Sequence, residues 1–173
     1  AKPPSRNDAL VWMARTLIEQ NELGDAAGLI HTLQEDPNLP KRLLDDLNDL
    51  NGYWFYKQAI YDSAAVYLEK GLTSSATKQD LARSEFLLAQ LYELNKQFDK
   101  ASEYYNNSSA HTTDALMDIH AQMNNAKMRK GNNAKDLDEG INNLVKLSKR
   151  DKFEMYRNVL FFSAGELAME KPD

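Results

Sequence analysis

Four small residues, Ala26, Ala64, Ala101 and Gly140, recur along this chain at intervals of 38, 37 and 39 positions. Each sits in the same setting: "LGDAAGLIHTL", "YDSAAVYLEKGL", "FDKASEYYNNS" and "LDEGINNLVKL". A large residue (Leu23, Tyr61, Phe98, Leu137) opens each stretch, an acidic residue follows, and the small residue stands three on. Four positions later comes Ile30, Leu68, Tyr105 or Leu144. A period of this length means that one supersecondary unit is repeated, and that each unit buries its apolar face against the next. The repeat constrains the fold more than any bulk property does.

The repeated unit is helical. All 5 prolines, Pro3, Pro4, Pro37, Pro40 and Pro172, lie at expected element ends, and the long proline-free middle avoids the roughly 3 kcal/mol that an interior proline costs a helix. Apolar periodicity places helices near 7–21, 24–35, 40–58, 61–72, 78–95, 98–109, 113–129, 134–148 and 151–169. Asp36-Pro37, Lys130-Gly131 and Asn132-Asn133 read as turns, and Thr77 or Ser75 as the cap of the fifth helix. Hydrophobic residues at 42% and charged residues at 27% describe a globular chain rather than a disordered one.

The first helix of each hairpin, helix A, carries its own code. In the third copy it runs Leu88, Ala89, Tyr92, and the following helix B runs Phe98, Ala101, Tyr105. The first copy supplies Met13, Ala14, Leu17, then Leu23, Ala26, Ile30; the second supplies Gly52 and Phe55, then Tyr61, Ala64 and Leu68, with Asn51 a poor fit at the large position. Helices pack about 8–10 Å apart, and the short end of that range needs small side chains where ridges cross. Ala14, Gly52 and Ala89 are therefore the expected crossing points on helix A, and Ala26, Ala64 and Ala101 on helix B. The fourth copy departs most, with Gly140 in place of alanine and "MRKGNNAKD" lengthening its internal loop. The aromatics of "FLLAQLYELNKQFDKASEYY" (86–105) fall at these packing positions, so they are a packing code rather than a ligand pocket.

This pattern resembles the tetratricopeptide repeat, whose period is about 34 residues. The resemblance implies an all-α, right-handed superhelical α-solenoid of about four helical hairpins plus one extra C-terminal helix. A single array would run from 1 to 173, with repeats near 7–37, 40–74, 78–110 and 113–149 and the extra helix at 151–169. Because the chain stops where a partner for that last helix would follow, the reading expects a segment of a longer protein.

Chemistry finds little purchase in the residues. The chain has no cysteine, which excludes disulfides, thiol nucleophiles and thiolate metal sites. His31, His111 and His120 have no histidine or carboxylate partner at metal-ligand spacing, and no G-x-S-x-G, Walker, H-E-x-x-H or EF-hand pattern is present. "GDAAG" (24–28) opens a helix B and follows no strand, so it is no phosphate loop. In "LLDDLNDLNGYWFY" (43–56), Leu43, Leu47, Leu50 and Trp54 form a helical stripe that leaves Asp45, Asp46 and Asp49 on the wet face. No catalytic residue, cofactor or metal is expected. A net charge of -5 lacks the basic footprint of a nucleic-acid binder, and no stretch reaches the roughly 18 apolar residues of a membrane span.

What remains is surface for a protein partner. The tetratricopeptide resemblance implies a concave groove lined by helix A residues: Trp12, Arg15 and Glu19, then Asp49, Tyr53 and Tyr56, then Arg83, Gln90 and Glu93. The set lacks the Lys/Asn combination of the family's carboxylate clamp, so capture of a peptide C-terminus is not expected. Tyr53 and Tyr56 are the leading anchors, the other reading being that they pack against a neighbouring helix. Over "NDALVWMARTLIEQNELGDA", "YDSAA", "ARSEFLLAQLYELNKQFDKA" and "LSKRDKFEMYRNVLFFSAGELAM" the chain is also similar to the tetratricopeptide lipoproteins of the SprE/PorW kind. That similarity implies a periplasm-facing part of an outer-membrane lipoprotein, a non-catalytic scaffold for type IX secretion and gliding motility. A cytosolic adaptor, an enzyme with a site between helices, and a sugar-binding protein are the alternatives, and the oligomeric state is left open.

Overall fold

The computed structural model describes residues 6–72, 77–129 and 134–169. The described residues are helical throughout, joined by turns: α1 (Arg6–Glu19), α2 (Leu23–Gln34), α3 (Leu44–Lys57), α4 (Tyr61–Gly71), α5 (Lys78–Leu94), α6 (Phe98–His111), α7 (Ala115–Arg129), α8 (Ala134–Leu147) and α9 (Arg157–Met169). Short 3₁₀ segments, Lys41–Leu43 and Asp151–Tyr156, lead into α3 and α9, so these two helices begin later than apolar periodicity alone indicates. Pro40, at ψ 131°, sets the first delay because its extended backbone stands just outside the helix. Thr77 caps α5, accepting from the Asp80 amide at 3.1 Å. The other cap candidate, Ser75, and the turns at 130–133 lie outside the described residues.

The chain divides into two compact units, Ala1–Ser74 and Ser75–Asp173. In the first, α1 pairs with α2 and α3 with α4, and α3 also packs on α1 and α2. Its core gathers Val11, Ala14, Ile18, Ala26, Ile30, Leu33, Leu47 and Leu50. The Trp54 indole N–H donates to the Leu23 carbonyl at 2.8 Å, tying α3 to the start of α2. In the second unit α5 to α8 pack each on the next, and α9 returns onto α7 and α8. Ile119, Met123, Leu137, Leu144, Phe153, Leu160 and Leu167 form a core there. Four of the five aromatics of 86–105 pack: Phe86 meets buried Tyr105 edge-on at 5.2 Å, and Tyr92 stacks on Tyr104 at 5.5 Å, whereas Phe98, expected at a packing position, is 48% exposed at the start of α6.

The repeat is written in the backbone as well as in side chains. Asn21, Ala59 and Lys96, spaced like the small residues, have φ of 64°, 59° and 58°. At each, the next amide reaches back five residues, Glu22 to the Leu17 carbonyl, Ile60 to Phe55 and Gln97 to Tyr92, at 2.9, 3.0 and 2.8 Å. These are three copies of one Schellman turn, built without the glycine that such a left-handed position favours. Of the three, only Asn21 is a residue type that takes this conformation readily.

Burial agrees with the crossing points. Ala14, Ala26, Ala64, Ala89 and Ala101 are at most 1% exposed. A Cβ added to Gly52 would stand 3.4 Å from the Ala64 carbonyl oxygen, so α3 and α4 meet at that small pair. The fourth hairpin follows the same rule through a residue the repeat reading left unassigned, Ala126. A Cβ at Gly140 would overlap that of Ala126, so glycine stands there because α7 and α8 approach more closely than two methyl groups allow. Counting from Ala126, Ala164 falls 38 positions on, which places α9 in helix A register.

Candidate partner-binding surfaces

On α1, the buried stripe Val11, Ala14 and Ile18 turns the opposite face, Trp12, Met13 and Glu19, to solvent. Trp12 is 67% exposed, the most exposed aromatic among the groove candidates. The Arg15 guanidinium lies 5.9 Å from its ring centroid, in range of a cation–π contact. The two residues border a cleft of about 180 Å³ with Val11 and Leu43, and Asp8 and Asp46 complete its lining. Asp8 is held by Arg42 in a two-pronged pair, both contacts at 2.6 Å. The cleft therefore sets an aromatic plate beside a fixed pattern of charge.

Tyr53 is half-buried and packs against the core of the first unit, with Lys57 Nζ 5.3 Å over its ring. Lys57 also approaches Glu19 at 3.9 Å. Tyr56 is exposed and leans on Tyr61 at 6.0 Å, and Asp49 is exposed. The structure thus brings Trp12 together with Arg15, and Tyr53 with Glu19 through Lys57. Of the two tyrosines, Tyr53 takes the packing role and Tyr56 keeps an open face.

On α5, Arg83 is exposed and reaches Asp80 at 3.4 Å, and Gln90 is exposed. Glu93 is engaged internally, accepting the Tyr105 hydroxyl at 2.7 Å. Burial first, and then this carboxylate, push the Tyr105 phenol above its ordinary range. The histidines need one correction. His111, without a carboxylate at ligand spacing in the sequence, has Nδ1 2.7 Å from Oε2 of buried Glu85. The pairing spans 26 residues and exists only because α5 packs on α6. Among the described residues no three His, Asp or Glu gather as a metal site, and no helix is long and apolar enough to cross a membrane.

A second surface escaped the repeat reading. Within the second unit, α6, α7 and α8 enclose a cleft of about 450 Å³. Asn106 and Ser109 come from α6, Gln122, Asn125 and Arg129 from α7, and Glu139, Asn143 and Lys146 from α8, with Arg150 just beyond. The signal was the spacing of Glu139, Asn143, Lys146 and Arg150, one polar face of a helix, which by itself reads as a solvated surface. On the outer side of α9, Phe161 and Phe162 are exposed at 56% and 68%. Comparison with protein-family models, with curated proteins and with solved structures finds no match for this chain.

Proposed function

We infer that this chain is a non-catalytic scaffold for protein–protein interaction, built as a tetratricopeptide-like right-handed α-solenoid whose helix A faces carry the partner. The observation that carries the reading is Trp12: a large aromatic, 67% exposed on a well-packed helix, braced by Arg15 beside a preformed cleft. Tryptophan and arginine on rigid elements are the residue types that dominate binding energy at interfaces. The threefold turn at Asn21, Ala59 and Lys96 supports the repeat part of the reading, because identical turns hold successive hairpins to one geometry. Tyr56 in the first unit, and Arg83 and Gln90 in the second, are further exposed helix A residues, each on its own unit. The sequence resemblance to the SprE/PorW-like lipoproteins is the support for proposing a periplasm-facing scaffold at an outer membrane, in service of type IX secretion and gliding motility.

The test is affinity capture from a cell-envelope extract with the parent chain and a Trp12→Ala/Tyr56→Ala variant as baits. The expected result is a secretion or motility component retained by the parent and depleted with the variant. Equal retention by both baits removes the α1–α3 face from the reading, and retention of no envelope component removes the scaffold assignment.

A further inference from the structure

The α6–α7–α8 cleft has a chemistry that the scaffold reading does not use. Among the described residues its lining carries the exposed cations Lys146 and Arg150, with the carboxylate of Glu139 beside them, a local excess of positive charge in a chain of net charge -5. The nearby Asp118 carboxylate is already occupied, accepting from Ser109 at 2.7 Å and Gln122 at 2.8 Å, with Lys152 at 3.4 Å. The cleft is roomy because its two walls, α6 and α8, are helix B elements, and the helix A floor between them, α7, contributes short Asn125 and Ala126. Gly140 puts no side chain into the crossing.

Amides line all three sides. Asn106, Asn125 and Asn143, one from each helix, present a carboxamide that both donates and accepts. The Asn125 oxygen accepts from Ser102 at 2.5 Å, which orients its NH₂ group as a donor. An extended peptide backbone alternates N–H and C=O groups and needs both kinds of partner. A phosphate or sulfate uses donors alone. A single-stranded nucleic acid wants aromatic faces for its bases, and the described residues of the cleft lining include none.

We propose that this cleft binds an extended, acidic peptide segment, with the asparagines meeting its backbone and Lys146 and Arg150 meeting its carboxylates. It is a second docking surface, distinct from the α1–α3 face, so either can fail alone. Lys146, Arg150 and Asn143 are exposed, so their replacement leaves the core intact.

The experiment is fluorescence anisotropy of a labelled peptide of alternating glutamate and serine, titrated with the whole chain, beside the same design with lysine for glutamate. The acidic peptide is expected to bind, the basic one not to bind, and the affinity to fall as salt rises. Lys146→Glu/Arg150→Glu should weaken binding by about tenfold or more, since reversing contact charges turns attraction into repulsion. Asn143→Leu should weaken it without altering the salt dependence. Far-UV circular dichroism of each variant confirms folding, with Lys146→Gln as the milder substitute. No binding, or equal binding by the charge-reversed variant, overturns the proposal. So does equal competition by inorganic phosphate or a single-stranded oligonucleotide, which would make the cleft a plain anion site.

Discussion

Replacing Gly140 by alanine isolates one close helix crossing in the second unit, that of α7 and α8. Glycine inside a helix is roughly 0.5–1 kcal/mol worse than alanine, so at an open site the change should stabilise. Gly140 is not an open site. The new Cβ would overlap the Cβ of Ala126 and lie 3.6 Å from its Cα and 3.7 Å from Leu167 Cδ1. A Cβ is fixed to its backbone and cannot rotate away, so α7 and α8 must part by roughly 1 Å to restore a carbon–carbon separation of about 3.5–4.0 Å. That movement loosens the core that includes Leu137, Leu144 and Leu167. Overpacking of this kind costs about 1–3 kcal/mol, which set against the propensity gain leaves a net loss of up to about 2.5 kcal/mol. Urea unfolding followed by circular dichroism should show a lower midpoint with an unchanged slope. The exchange variant Ala126→Gly/Gly140→Ala keeps one methyl group at the crossing and one glycine in the pair of helices. It should return to within about 0.5 kcal/mol of the parent, the scatter expected for a change that cancels. Gly28→Ala, with nothing within 4 Å of the added Cβ, should stabilise. If Gly140→Ala matches or exceeds the parent, the close-approach account of the fourth hairpin is refuted.

Ala101→Leu and Ala64→Leu, at sites 0% and 1% exposed, should each destabilise by about 1–3 kcal/mol through overpacking, and unchanged thermal midpoints in both would break the repeat register. Ala59→Gly relieves a φ of 59°; the left-handed position costs a non-glycine residue about 1–2 kcal/mol, so the midpoint of a thermal melt should rise, and a fall would show that the turn is unstrained. Tyr105 has its folded pKa raised above the ordinary phenol value of about 10, chiefly by burial. Its contribution is therefore fully present below about pH 10 and is lost as pH rises beyond it, because the unfolded chain ionises first. Tyr105→Phe should lower stability at neutral pH and flatten the alkaline limb of a stability-against-pH curve, and an unaltered limb would remove Tyr105 as its cause.

Much of the helix layout was legible beforehand because helix formation is local. The backbone bonds run between neighbours in sequence, and the spacing of Ala26, Ala64 and Ala101 reflects a surface that each helix must present whatever its partner. The late starts of α3 and α9 were less legible, since 3₁₀ and α-helical turns share the same residue preferences. Among site candidates, Trp12 and Tyr53 looked alike as helix A aromatics, and only packing separated a residue 67% exposed from one half-buried on the core.

The sequence by itself determined an all-helical chain of repeated hairpins with small residues at the crossings, because periodicity, proline placement and side-chain volume are properties of each segment alone. Only the tertiary structure decided that His111 meets Glu85, that Tyr105 is held by Glu93, and that Gly140 is required by Ala126 rather than tolerated. It also decided where three polar helix faces converge to make a cleft. Those outcomes depend on distances between helices and on their rotation about their own axes. A shift of about 1 Å or one residue in register changes which side chains meet, and no single segment encodes that relation.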